Sequence, residues 1–338
     1  MKNSSKILNP NLVSLSGYVT VLLNYLYEKD PYFEIKTNIG SIAAVDLEKG
    51  FVRIHLNEKE FDDRAFGYEG IMPDSSNFKT ALISAGILKS EKQEVVFREI
   101  IVEFGKNLYE RPRLLYVSFD TNAFINRTSF HLQTFAERIE RVLGAFVVPD
   151  GIKQELFSEK AGKYGEYELR ELMIKDKRFG EFINQPKVIE RVFKIGRAEF
   201  NRFRTSVRFE EIPSGTGDNE IAKALGEFSR RRNCDVWLIT FDHAMYEIAA
   251  GYGIRPLLLD FPRIKRRVDA EWENIRDFIY IAAVIFGFVT ISGVDIFGVW
   301  RGKKPDDWNN ECVKVLVKNE NLKKDLKILR EIKDVLKI

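Results

Sequence analysis

LLYVSFD, residues 114–120, is a short apolar run that ends in an aspartate, and three runs of the same build follow it: AFVVPD (145–150), VWLITFD (236–242) and IRPLLLD (254–260). Each is too short for a globular helix and lacks the apolar–polar alternation of a strand with one wet face. Near-continuous apolar runs of this length are what strands buried on both faces require. Between them lie segments with helical spacing, at 130–143, 151–160, 219–232 and 243–252. Strands alternating with helices predict an α/β domain of three layers over 113–262, its central sheet mainly parallel and covered on both sides.

The flanks read differently. Residues 1–112 predict an N-terminal accessory domain of α+β type, with a helix over 12–28, strands at 41–46 and 51–56 joined by LEKG, and further helices after PDSSN (73–77) and through Val96, Ile100, Ile101, Phe104 and Leu108. Glu110-Arg111-Pro112 marks the junction, because proline disfavours helix at the residue before it. Residues 263–338 form a C-terminal accessory region that opens on the basic RIKRR (263–267) and closes on a charged helix over 321–338. Neither flank alone makes a convincing core, so the strands near 41–56 and those near 288–300 are expected to pair. The uncharged stretch FIYIAAVIFGFVTISGV (278–294) has seventeen residues, short of the roughly twenty that a spanning helix needs. A buried helix running into a strand is the preferred reading, and membrane insertion the lesser one.

Composition narrows the chemistry. The 338 residues carry 53 basic and 50 acidic side chains, so any nucleic-acid footprint must be local. Two cysteines, Cys234 and Cys312, argue against a disulfide framework or thiolate zinc site and fit a reducing, cytoplasmic setting; Cys234 is expected to be buried and inert. With three histidines, a metal site must rest on oxygen ligands, which favour Mg²⁺ or Mn²⁺ over zinc. Residues 1–10 lack the basic-then-apolar order expected of a signal peptide.

In an open parallel sheet, functional groups collect where strands end. Asp120 and Asp242 end two of the runs, although each is also placed to cap a helix. Glu155, in VPDGIKQEL, falls in the early turns of a helix. Asp218, in GTGDNEIAKAL, opens another, and again it could merely cap.

In this order and on these elements the four acids resemble the PIN domain family of nucleases, over 113–262 and not beyond. The family's motifs are matched by Asp120-Thr121-Asn122 after the first strand, Glu155 in KQEL, Asp218-Asn219-Glu220-Ile221-Ala222 at a helix start, and Thr240-Phe241-Asp242 at a strand end. The resemblance implies a metal-dependent endoribonuclease that leaves 5′-phosphate and 3′-hydroxyl ends. Asp120, Glu155, Asp218 and Asp242 would be its catalytic and metal-binding residues, and Thr121, Asn122 and Thr240 would orient the carboxylates or touch phosphate. Electrostatics agree, since converging carboxylates repel until a divalent cation offsets them.

The interval from Glu155 to Asp218, 62 intervening residues, is long for a compact domain of this kind. Within it, 187–208 holds seven basic and two acidic residues, and Phe193, Phe200, Phe203 and Phe209 interleave with Arg197, Arg202, Arg204 and Arg208. Such a segment either grips RNA, with arginines on phosphates and rings on bases, or is an amphipathic helix whose rings are core. His243 is expected to be structural. The competing reading of the whole is an inactive PIN-fold RNA-binding or scaffold protein. Another doubly wound enzyme is disfavoured by the lack of a glycine-rich nucleotide fingerprint. The RNA substrate, protein partners and oligomeric state, a homo-oligomer included, are not specified by the sequence.

Overall fold

The computed structural model describes residues 6–8, 17–106, 109–110, 112–309, 312–325 and 327–328. The chain forms two compact units, neither contiguous in sequence: one is Lys89–Glu159 with Phe193–Arg263, the other Met1–Leu88, Lys160–Val192 and Ile264–Ile338. Compared with the expected boundaries, 89–112 joins the parallel-sheet unit and 160–192 leaves it. Side-chain packing explains both shifts. Helix Gln93–Phe104 sets Phe97 against Phe135 at 5.9 Å and Phe104 against Phe146 at 5.9 Å, both in the parallel-sheet unit. In the segment 160–192, Phe179 and Phe182 pack on Phe288, and the Tyr164 hydroxyl donates to the Ile71 carbonyl at 2.9 Å.

The parallel-sheet unit contains, in chain order, β1 (Leu115–Phe119), α1 (Thr121–Ile125), α2 (Thr128–Arg138), β2 (Ala145–Pro149), α3 (Asp150–Phe157), α4 (Val188–Ser206, whose first turn belongs to the other unit), β3 (Phe209–Ile212), α5 (Asp218–Arg232), β4 (Asp235–Thr240), α6 (His243–Gly251) and β5 (Arg255–Leu258). The sheet order is β3-β2-β1-β4-β5 and every pairing is parallel. Right-handed crossovers then put the helices of 121–206 on one face and those of 218–251 on the other. Side chains agree. Phe119 meets Phe124 and Phe203 on the first face, while Tyr116 meets Phe228 of α5 on the second. β1 is buried at all five positions, as a central parallel strand must be. The edge strand β3, FEEI, was not among the expected strands.

The other unit is built on an eight-stranded antiparallel sheet. Its order is Lys6–Leu8, Val313–Val317, Val294–Phe297, Phe288–Ile291, Tyr32–Thr37, Gly40–Asp46, Phe51–Ile54 and Arg267–Asp269. The two ends of the chain therefore share one sheet, joined where Thr290 faces Lys36 and Ile291 faces Ile35. Residues 278–294 become the second half of helix Trp272–Phe286, strand Phe288–Ile291 and the start of the next strand. Gly287 makes the corner at φ +89°, where a β-carbon would meet the Phe182 ring at 2.0 Å. Among the described residues no helix is long and apolar enough to cross a membrane. Residues 12–16, Leu108 and 329–338, each expected in a helix, lie outside the described residues.

Candidate active site

The sheet order reverses at β1: the chain moves outward through β2 and β3, then returns to lay β4 on β1's other side. Open parallel sheets offer a crevice where strand order reverses, outside the strands' carboxyl ends. β1 and β4 run in register from Leu115 opposite Asp235 to Phe119 opposite Ile239. Asp120 and Asp242 thus emerge side by side at that point, from neighbouring strands.

Both acids do cap helices. Oδ1 of Asp120 accepts from the Ala123 amide at 2.5 Å, and Oδ1 of Asp242 accepts from the Ala244 amide at 2.7 Å. Capping occupies one oxygen of each, and serine or asparagine would serve as well. It leaves the burial of a charge at Asp120, only 6% exposed, without a reason. The second oxygen of Asp120 accepts from the Thr240 hydroxyl, and the Thr240 Oγ1 in turn accepts from the Asp242 amide at 2.9 Å. One buried threonine thereby fixes Asp120 and the turn that carries Asp242.

Glu155 joins this pair from α3. Its Oε2 accepts from the Thr121 hydroxyl at 2.5 Å and its Oε1 from the Gly217 amide at 2.7 Å. Gly217 sits at φ +87°, ψ 152°, a backbone state essentially reserved for glycine, immediately before Asp218. The loop that delivers Asp218 is also clasped to the start of α3. The Ser214 amide donates to Asp150 Oδ1 at 2.6 Å, and the Gly151 amide donates to Ser214 Oγ at 2.8 Å. Gly151 has to be glycine, since a β-carbon there would fall 2.0 Å from the Gly215 carbonyl oxygen. Asp218 is the first helical residue of α5 and not its cap. Its carboxylate has no hydrogen-bond or ion-pair partner among the described residues.

The four acids therefore act on one another. Burial, with the charges of Asp242 and Asp218 adding to it, raises the Asp120 carboxyl to about 7 despite the hydrogen bonds from Thr240 and Ala123. Burial likewise raises Asp218, helped by Asp242 and Glu155. Such mutual influence holds only over a few ångströms to a screening length of roughly 8–10 Å. Among the described residues, however, no three His, Cys, Asp or Glu side chains are gathered closely enough to hold an ion as they stand.

No protein-family model and no curated protein matches the chain.

The remaining expectations divide. Asn122 is exposed on the first turn after Asp120, and His243 is exposed at the first position of α6. Cys234 is buried, which raises its thiol. Base-stacking by the α4 rings is not available to Phe200 and Phe203, both 0% exposed in the aromatic core with Phe119, Phe124 and Phe146. Arg197 donates to the carbonyls of Leu156 and Ser158, holding the end of α3. Arg202 makes a fork to Glu199 at 2.5 and 2.9 Å and a bond to Gln133 at 2.8 Å. Arg204 and Arg208 are exposed, but Arg208 directly precedes β3 and so lies where strands begin, away from the acids. Arg197 and Arg202 are thus engaged within the fold, and Arg208 stands at the other edge of the sheet from the acids. Sequence reading also missed the Gly217 amide and the Asp150–Ser214 clasp. The Gly-Thr-Gly before Asp218 is the signal that a special backbone stands there.

Proposed function

We propose that the chain is a metal-dependent endoribonuclease with a PIN-like catalytic domain on its parallel-sheet unit. The observation that carries the reading is the emergence of Asp120 and Asp242 from adjacent strands where the sheet order reverses, with Asp218 in electrostatic contact with both and with Glu155. A buried carboxylate raised by two further acids asks for a positive charge, and an all-oxygen donor set suits Mg²⁺ or Mn²⁺. Asp120, Asp218 and Asp242 would hold the ion, with Glu155 as a further ligand or as the group that orients water. A bound ion of this kind supplies an activated water and offsets charge on the scissile phosphate.

The chain's own residues set the geometry. Thr240 locks the Asp120 rotamer, while Thr121 and the Gly217 amide aim Glu155 toward the cleft. Asn122 stands exposed on the adjacent turn, where its amide can meet a phosphate oxygen. The competing reading, a PIN-fold scaffold without catalysis, is favoured by one observation: among the described residues no three acids are already gathered to hold an ion. Incubation of the full chain with end-labelled single-stranded RNA and Mn²⁺ separates the two. The nuclease reading predicts cleavage that Asp120→Asn and Asp242→Asn abolish. Equal cleavage by the variants, or none by the native chain, overturns it.

A further inference from the structure

We infer that the edge of the parallel sheet opposite the acids carries a second binding site, for a small organic anion. A cleft of about 260 Å³ opens there, bounded by the end of α2, the loop into β2 and the turn from α4 into β3. All strands of the sheet run the same way, so the edge where β2 and β3 begin is a strand length, on the order of 16 Å, from the edge that bears Asp120 and Asp242. One small ligand cannot reach both.

Two arginines in the lining point to a negatively charged ligand. Arg141 and Arg208 both border the cleft, and neither guanidinium has an acid or hydrogen-bond partner among the described residues. Gln133 is buried, and its Oε1 is engaged by Arg202 at 2.8 Å and by Ser206 at 3.2 Å. That engagement fixes the amide's orientation and leaves Nε2 as a buried donor with no acceptor. Buried donors are satisfied in nearly all folded proteins. The Nε2 atom itself is closed off from solvent, so the cleft's own donors are the two guanidinium groups, which form charge-assisted and often bidentate bonds to phosphate or carboxylate.

The remainder of the lining sets the ligand's other end. Phe146 and Val207 give an apolar floor, and the Glu137 carboxylate on the rim can accept one hydrogen bond. The volume is just under that of drug-sized pockets. The ligand class is therefore a small phosphate ester or carboxylate with an apolar body. The site is independent of RNA cleavage and is tested without it.

Calorimetric titration of the full chain with phenyl phosphate, benzoate and inorganic phosphate makes the test. The proposal expects saturable binding of at least one of the two aromatic anions, more tightly than of inorganic phosphate. The preferred aromatic anion tells a phosphate ester from a carboxylate. Arg141→Gln and Arg208→Gln should each weaken it about tenfold, the loss expected for one charged hydrogen bond. Both side chains are exposed, and matching circular dichroism and thermal midpoints show that the variants fold. No binding of any of the three at millimolar concentration, or unchanged binding in the double variant, overturns the proposal.

Discussion

Asp120→Asn is the perturbation whose outcome follows most directly from the site. In the native chain a carboxyl with an ordinary value of 3.8 is raised to about 7 by burial and by neighbouring acids. Each pKa unit corresponds to about 1.4 kcal/mol, so holding Asp120 ionised costs the folded state about 4 kcal/mol at neutral pH and above, without a bound cation. The sign follows from linkage. Between pH 3.8 and about 7 the folded state keeps a proton that the unfolded state has released, so stability falls as pH rises through that window. Asparagine keeps the bond from the Ala123 amide, and the Thr240 hydroxyl can turn to accept from its new amide group. The variant should therefore be the more stable protein in chelator, by up to about 4 kcal/mol near pH 8 and about 2 kcal/mol near pH 5, with no difference below about pH 4. Urea denaturation at those pH values reads this directly. Equal or lower stability of the variant near pH 8, or a gain that ignores pH, refutes the claim that Asp120 is a buried, electrostatically uncompensated acid.

Two further outcomes follow from α4. Phe203, 0% exposed among Phe119, Phe124, Phe146 and Phe209, is core, so Phe203→Ala should cost about 3–5 kcal/mol in a denaturation experiment; a loss below about 1 kcal/mol would return the ring to the surface. Burial alone would raise the Glu199 carboxyl, but the charges of Arg202 and Arg127, with hydrogen bonds from Arg202 and Ser129, hold it below the ordinary range. Glu199→Ala should cost about 2–3 kcal/mol at neutral pH, because Arg127 is left buried while Arg202 can turn partly to water. Since a depressed carboxyl gives up its contribution as pH falls through its folded value, the gap from the native chain should narrow in acid and not in base.

The parallel sheet was readable wherever burial on both faces forces a continuous apolar run, as in Leu115–Phe119 and Asp235–Thr240. Strand β3 escapes such a reading because it is an edge. Glu210 on it answers the Tyr116 hydroxyl at 2.7 Å and Arg232 at 2.7 Å, contacts that no hydropathy pattern carries. Strand Tyr32–Thr37, absent from the expectations, does bear the period-two sign, alternating exposed and buried. The interleaving of the two units was hidden for a different reason. The apolar side chains of 160–192 announce that they need a core, but nothing in their order says that Phe182 will meet Phe288 and not the sheet that follows it in sequence. At the site, the four acids could be read because strand ends and helix starts are local features. What holds them, a threonine 120 residues from its acid and a glycine amide 62 residues from its glutamate, is set by topology and could not.

Crystals of the full chain soaked in Mn²⁺ and measured at the manganese absorption edge test the central claim most directly. The account predicts an anomalous peak lying among the carboxylates of Asp120, Asp218 and Asp242, with Asp218 and Asp242 drawn inward, and no such peak in Asp120→Asn. A map at saturating Mn²⁺ with no density there, or with the ion elsewhere and the four acids unmoved, would contradict it.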